Sequence, residues 1–313
     1  MNTTKIIITQ LFILSFLSSC NLSKDKNDLL DLHLKGNVES VTEKTFFKFS
    51  YKEAEGGNKI VIEDGDYNSE NLYNLKTWEF NGDGNIEKIY EKQIKDDANL
   101  DKNMVNQTEI RKYDMMGRLK EVINTFGDGS TGTATSNYSF MSKLCTSTKD
   151  VLGETTYKYD DKGNEIEVSN PLFGTTKTQY TYNQRGWLTN KTITDSSGVV
   201  QSKIDYDLDA DGKLMYETTF SPDGKEIEKK EYLSGVLSKT IKTEYGGYEH
   251  SFNDNEDLII DISYKDEKHE KQSSKQVYQY EYDENGNWIK RIKCDHYGWK
   301  KVPAELTIRE IKY

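Results

Sequence analysis

One recurring pattern constrains the fold of this chain more than any other feature. An aromatic residue, any residue and a second aromatic are followed by Asp or Asn, a few polar residues, a glycine, and an apolar residue two places further on. The clearest copy runs Tyr278-Gln279-Tyr280-Glu281-Tyr282-Asp283-Glu284-Asn285-Gly286-Asn287-Trp288 and continues through Ile289-Lys290-Arg291-Ile292. Tyr278, Tyr280 and Tyr282 alternate, which puts their rings on one face of an outgoing strand. Asp283 suits the first position of a type I turn, and Gly286 suits the left-handed position after it. The stretch therefore reads as a hairpin with a bulged turn, with Trp288 opening the return strand.

The pattern repeats along most of the chain. Early copies are Trp78-Glu79-Phe80-Asn81-Gly82-Asp83-Gly84 with Ile86, Tyr113-Asp114-Met115-Met116-Gly117 with Leu119, and Tyr157-Lys158-Tyr159-Asp160-Asp161-Lys162-Gly163. Later ones are Tyr180-Thr181-Tyr182-Asn183-Gln184-Arg185-Gly186 with Leu188, Tyr206-Asp207 through Gly212 with Leu214, and the shortened Tyr232-Leu233-Ser234-Gly235 with Leu237. Gly163, Gly186, Gly212 and Gly235 are spaced by 23, 26 and 23 residues. Gly117 lies 46 residues before Gly163, with a worn copy at Tyr138-Ser139-Phe140 between them. Phe252-Asn253-Asp254-Asn255-Glu256-Asp257 is a copy without the glycine, and Glu165 stands where its own copy should carry an apolar residue. Further turn signals at Asp195-Ser196-Ser197-Gly198 and Ser221-Pro222-Asp223-Gly224 fall midway between copies, so each unit is two strands with a turn at either end. Upstream, 38–51 and 59–62 read as strands around a turn at Gly56-Gly57, and 64–74 reads as a loop.

The expected fold is all-β: an antiparallel meander of repeated β-hairpins over residues 35–313, forming one extended, curved sheet or partial shell. Charged residues make up 30% of the chain and hydrophobic ones only 34%, but 21 Tyr, 11 Phe and 4 Trp set it apart from a disordered sequence. A tyrosine buries a large ring while keeping its hydroxyl wet, and cross-strand aromatic pairs contribute roughly 0.2–1 kcal/mol each. Lys and Glu on the opposite face can pair across strands and discourage edge-to-edge association.

The first twenty residues read as an export signal. Lys5 supplies the positive charge, and the apolar run 6–17 is too short to span a bilayer as a helix. The run ends in Leu17-Ser18-Ser19-Cys20, which resembles the lipobox of bacterial lipoproteins. That resemblance implies cleavage before Cys20, a diacylglycerol on its sulfur and acylation of the new amine, with several chains giving a stable anchor. The domain division is thus a signal peptide at 1–20, a polar tether at 21–34 and the β domain at 35–313. A lysine–aspartate pair soon after Cys20 loosely resembles a surface-export signal, so the domain is expected to face either the periplasm or the cell surface.

The repeat itself resembles the YD repeat of RHS-repeat proteins. The whole of 35–313 is similar to small RHS-repeat lipoproteins of Bacteroidota, which begin near a segment like Gly36-Asn37-Val38-Glu39-Ser40-Val41. They close with segments like Gly286-Asn287-Trp288-Ile289-Lys290-Arg291 and Ile308-Arg309-Glu310-Ile311. In large members of that family the repeats spiral into a hollow β-shell around a toxin. About eight copies here imply a partial shell, too short to enclose a cargo domain. The chain contains no Asp-Pro, which the self-cleaving core of the large toxins requires, and 302–313 reads as a closing strand with no toxin domain after it.

Candidate chemistry is sparse. Asp207, Asp209 and Asp211 set oxygens at alternate positions as a calcium loop does, but Thr218 stands where its bidentate Glu belongs, so the stretch reads as a solvated turn. His33, His250, His269 and His296 are scattered, and Cys294-Asp295-His296 has no second pair to complete a metal site. Cys145 and Cys294 would be free to bond in an exported compartment, yet their spacing gives no sign of it. Trp187, Trp288 and Trp299 with the tyrosines suit either a platform for sugar rings or a peptide strand, or the packing of the repeat itself; packing is the expectation. Removing 1–20 takes the net charge from −11 to −12 through the loss of Lys5, which argues against nucleic acid as a partner.

The expected function is therefore a non-catalytic, lipid-anchored envelope protein whose sheet is a scaffold or binding surface. Its cofactor is none beyond the covalent lipid on Cys20, which would be palmitate among other acyl chains, and its partners are the membrane and an envelope protein or glycan. The alternatives are a carrier or immunity-like accessory of an RHS-type toxin system, argued by analogy, and an enzyme acting on envelope polysaccharide.

Overall fold

The computed structural model describes residues 27–313 apart from 48, 55–58, 63–64, 66, 69–70, 94–104, 140–141, 234–235, 243–245, 266–271 and 298–299. The signal segment with Cys20, the Gly56-Gly57 turn, Gly235, His269 and Trp299 lie outside the described residues. A short helix, α1 (Asp28–Asp31), comes first, with Asn27 as its N-cap accepting from the Leu30 N–H. β1 (Ser40–Phe46) is followed by a small outlying pair, β2 (Lys52–Glu53) and β3 (Ile60–Val61). The repeats then supply β4 (Leu72–Phe80), β5 (Ile86–Gln93), β6 (Val105–Tyr113), β7 (Leu119–Thr125), β8 (Thr131–Tyr138) and β9 (Cys145–Asp150). The series continues with β10 (Gly153–Tyr159), β11 (Glu165–Asn170), β12 (Gly174–Tyr182), β13 (Leu188–Asp195), β14 (Val200–Leu208) and β15 (Leu214–Phe220). It ends with β16 (Glu226–Leu233), β17 (Val236–Lys242), β18 (Gly246–Phe252), β19 (Leu258–Tyr264), β20 (Gln272–Tyr282), β21 (Trp288–Tyr297) and β22 (Lys300–Lys312).

The turn that the repeat encodes is the same in copy after copy. At Asn81, Asp114, Asp160, Asn183, Asp209, Asn253 and Asp283 the backbone carbonyl accepts from the N–H three residues on. At Asp283 the side-chain oxygen also accepts from the N–H groups of Asn285 and Asn287, and Asp114, Asp160 and Asn183 do likewise in their own turns. A short carboxylate or amide thus satisfies two N–H groups that the hairpin leaves unpaired, which is why Asp and Asn alternate freely at this slot. The glycine takes the left-handed conformation, as at Gly286 (φ 78°), and in the copy without glycine Glu256 adopts it instead (φ 64°). A bulge sits just before the turn of each repeat hairpin, at an aromatic in most copies and at Leu208 in one, and sets Tyr113 opposite Leu119, Tyr182 opposite Leu188 and Tyr282 opposite Trp288. The apolar residue two places after the glycine is the cross-strand partner of that aromatic.

Successive strands from β4 to β22 pair antiparallel, and the meander then closes. β1 pairs with β22 along Ser40–Phe46 on one side and with β4 on the other, giving a 20-stranded ring. The shell is more closed than an extended curved sheet or partial shell. The physical reason lies upstream of the repeats: β1 supplies the extra strand that satisfies both open edges, and a closed ring has no edge left to protect.

The two faces of this ring differ. Register places the alternating tyrosines on the same face as Arg309, Glu217 and Glu305, whose side chains are only 10–19% exposed. The other face carries Lys158, Lys112 and Glu281, which are 48–67% exposed. In a closed ring the concave wall crowds its side chains, so the tyrosine face is the inner one. β11, β13 and β19 bury no residue on either face, so nothing packs across the ring there. Twenty strands about 4.8 Å apart give a backbone ring about 30 Å across, wide enough to leave a lumen.

The core is gathered at the seam. Inside, Leu29 and Leu34 from the 21–34 stretch pack with Val38, Val41, Trp78, Phe80 and Ile86. Outside, Ile60 and Ile62 of the β2–β3 excursion cover Phe46, Ile292, Cys294 and Leu306. Full burial of such side chains contributes roughly 1.5–3 kcal/mol each, so the strand that closes the ring is held from both sides.

Candidate functional site

The inner wall is built from tyrosines whose hydroxyls reach across to the neighbouring unit. Tyr113 donates to the Ile86 carbonyl at 2.7 Å, Tyr138 to Leu119 at 2.8 Å, Tyr180 to Glu165 at 3.0 Å and Tyr280 to Leu258 at 2.9 Å. Each bond joins an outgoing strand to the start of the previous return strand, so the repeated tyrosine ties adjacent hairpins together. These hydroxyls are engaged rather than wet, contrary to the expectation from composition. Burial, reinforced by Glu165, pushes the Tyr180 hydroxyl up to about 12, and burial also raises Tyr113 and Tyr280. With their protons given to backbone carbonyls, these hydroxyls can offer only acceptor lone pairs to the lumen.

Glu165 is the acid in the apolar slot, paired in register with Tyr159. Burial raises its carboxyl above the ordinary range, with Lys191 opposing. A raised acid favours the folded state most below the unfolded-state pKa, and that contribution is lost as pH rises through the folded value. Glu165→Leu is therefore expected to raise stability by about 1 kcal/mol at neutral pH, with the gain shrinking toward pH 4. Urea midpoints at the two pH values check it.

Across the seam the inner wall carries a row of alternating charge. Glu91, Lys76, Glu43 and Arg309 are successive register partners on β5, β4, β1 and β22. Arg309 donates through Nε to Glu43 at 2.7 Å and lies over the Trp288 ring at 3.5 Å. Arg291 bonds Glu305 at 3.0 Å and Thr307 at 3.2 Å beside them. Tyr280 meets Trp288 edge-on at 6.0 Å. At the rim just above, the buried amide of Asn287 accepts from the Lys35 N–H at 2.7 Å and donates to the Lys35 carbonyl and the Tyr313 hydroxyl, both at 2.8 Å. What this arrangement can do chemically is hold a polar, extended molecule through hydroxyls, paired charges and ring faces.

The residues singled out from sequence are dispersed. Asp207 lies on the outer face of β14 opposite Tyr216, while the Asp209 carboxylate accepts from the Asp211 and Lys213 N–H groups at 2.9 Å each. Asp209 is thus engaged by its own turn, and Thr218 is buried in β15. Among the described residues no three His, Cys, Asp or Glu side chains gather as a metal site would need. Trp187 covers Gly212 of the next turn so closely that a Cβ there would lie 2.6 Å from its ring. Trp187 and Trp288 stand on separate hairpins and form no common platform. Cys145 and Cys294 are buried thiols that are not bonded to each other, and burial pushes the Cys294 thiol up to about 11. Neither is expected to react with a maleimide at pH 8 in the native chain, whereas both should react in denaturant; mass spectrometry of the labelled chain decides it. Sequence reasoning missed Glu43, Asn287 and Arg309 as partners. The closing segments that contain Asn287 and Arg309 were the signal available.

A closed ring of hairpins, each ended by an Asp- or Asn-capped turn and tied to the next by a tyrosine, defines a YD-repeat shell. Residues 159–200, the stretch from the end of β10 to the start of β14, match the family model described as RHS Repeat. Among solved structures it is similar to a porin-like protein from Bacteroides uniformis, at 14% identity over 89% of this chain and 99% of that one, with a TM-score of 0.36. It is also similar to TcdB2-TccC3-TEV, at 11% identity and a TM-score of 0.27, and to TcdB2-TccC3 without its hypervariable C-terminal region, at 13% and 0.25. In both of these the match covers 74% of this chain and spans 16% of the other. No curated protein sequence matches the chain.

Proposed function

We propose that this chain is a non-catalytic, lipid-anchored protein of the bacterial outer membrane, whose closed YD-repeat ring is a scaffold or binding body in the envelope. The observation that carries this reading is the charged outer wall of the ring. Lys158–Glu167, Lys112–Glu121 and Lys239–Glu249 pair there at 2.8, 2.7 and 2.9 Å. A membrane-spanning barrel needs an apolar outer band about 25 Å tall, so a ring with this wall stands in water and attachment falls to the lipid on Cys20. The tyrosine and arginine–carboxylate lining suits a glycan or an extended segment of an envelope protein. Cys20→Ala should abolish palmitate labelling and release the protein from the membrane fraction; unchanged retention would refute the anchor. A glycan and envelope-protein screen on the 21–313 fragment identifies the ligand.

Closure favours a second reading, a carrier or immunity-like accessory of an RHS-type toxin system, because a closed ring offers an enclosed lumen. Protection of cells from a toxin encoded beside it, or its copurification inside the ring, would support this reading.

A further inference from the structure

Successive hairpins turn at alternate ends, so the capped turns of the repeat copies lie on one rim, the capped-turn rim, and the connecting turns, that of Asp195 among them, lie on the other. The N-terminal segment docks on the first of these rims. Asn27 donates to the Asp83 carbonyl, the Leu29 N–H bonds the Gly84 carbonyl, Asp28 pairs with Arg111, and Lys35 is held by Asn287. The chain therefore leaves the ring at the capped-turn rim, beside the 81–85 and 114–118 turns.

The 114–118 turn departs from its sister copies in a way the fold does not require. Its tip carries Met115-Met116, where other copies carry Asp161-Lys162, Gln184-Arg185 and Glu284-Asn285. Met115 is fully exposed, and Leu30 and Leu233 on the same rim are 54% and 73% exposed. Leu30, Met115 and Met116 gain little from the protein and stand beside the point where the chain leaves the ring, and Leu233, at the end of β16, is exposed on the same rim across the ring from them.

We propose that the capped-turn rim rests on the lipid surface, with Leu30, Met115, Met116 and Leu233 entering the headgroup–acyl boundary; this rests on the lipidation of Cys20. Reach argues for this rim against the other. Six residues lie between Cys20 and Asn27, so seven Cα–Cα steps span about 25 Å at full extension. The opposite rim, with Leu172 and Phe173 exposed at 64% and 65%, lies a full strand length away, about 25 Å for eight residues. Bringing the lipid there would need a fully stretched tether running back along the wall. The capped-turn rim needs no such stretch, and apolar tips around a ring act like the face of an interfacial anchor. The opposite rim and the outer wall are then left free for partners.

The test uses the full lipidated chain in phosphatidylethanolamine–phosphatidylglycerol vesicles containing a lipid brominated on its acyl chains. Met115→Cys and Phe173→Cys each place a single reactive thiol for an environment-sensitive dye, since Cys145 and Cys294 are buried. The dye at 115 should shift to the blue and lose emission to the brominated lipid, while the dye at 173 should do neither. Quenching at 173, or at neither position, in a chain whose mass shows the lipid overturns the orientation and leaves the anchor standing. A wild-type chain whose mass carries no lipid overturns both.

Discussion

Asn287→Ala is expected to lower the unfolding free energy by about 3 kcal/mol and to open the closing seam before the rest of the ring. The Asn287 side chain behaves like a missing strand. Its oxygen takes the Lys35 N–H and its nitrogen serves the Lys35 carbonyl, so both backbone groups of a residue between α1 and β1 are satisfied by one amide. The same nitrogen reaches Tyr313, whose hydroxyl also bonds Asp283, so the segment leading into β1 and the residue after β22 meet on one side chain. Alanine removes all three bonds and leaves the Lys35 N–H and carbonyl without partners at a partly buried site, a cost of roughly 1–3 kcal/mol for each group. Because Lys35 leads into β1, the loss should fall on closure. Hydrogen exchange is expected to speed up over 35–46 and 306–313 while 174–208 keeps its protection. Uniform acceleration, or a urea midpoint like that of the wild type, would show that Asn287 does not latch the seam.

The contrast between these regions explains what could be read from sequence. The hairpin is written in about eleven consecutive residues, as in 278–288, because the Asp283 cap, the Gly286 turn and the Tyr282–Trp288 pair all fall within one short loop. Nothing distant is needed, so the meander, its turns and its bulges are legible. Closure depends on β1, which carries no copy of the repeat, and on contacts such as Glu43 with Arg309, 266 residues apart in sequence. No local pattern encodes them. The tyrosine hydroxyl bonds are hidden for a related reason: alternation shows which face a ring occupies, but not that a carbonyl of the neighbouring unit waits 2.7–3.0 Å away. The 28–34 stretch looks polar because Asp28, Asp31 and His33 interleave its leucines, and only the mouth of the ring shows that Leu29 and Leu34 are buried.

Glu43→Gln is expected to destabilise the ring by about 3 kcal/mol, and most of that loss should disappear when Arg309 is also replaced by methionine. Glu43 lies on the one strand that both edges of the meander must accept, and its register partners are Arg309 and Lys76, both cationic. A slip of β1 by one residue would turn Glu43 to the outer wall and strand both cations, so the alternating row selects the closing register. Arg309 is one-tenth exposed, and burial together with the nearby Arg291 lowers its affinity for the proton while Glu43 opposes that effect. Removing the carboxylate leaves a buried guanidinium facing a second one, a situation that costs about 3–5 kcal/mol in buried pairs, tempered here because Glu43 is 20% exposed. With methionine at 309 the stranded charge is gone and the apolar stem can still cover Trp288. A double-mutant cycle by urea unfolding should therefore return a coupling of at least about 1 kcal/mol. Additive losses would mean that the row does not act as a unit, and that the apolar cluster around Val41 and Trp78 closes the ring without it.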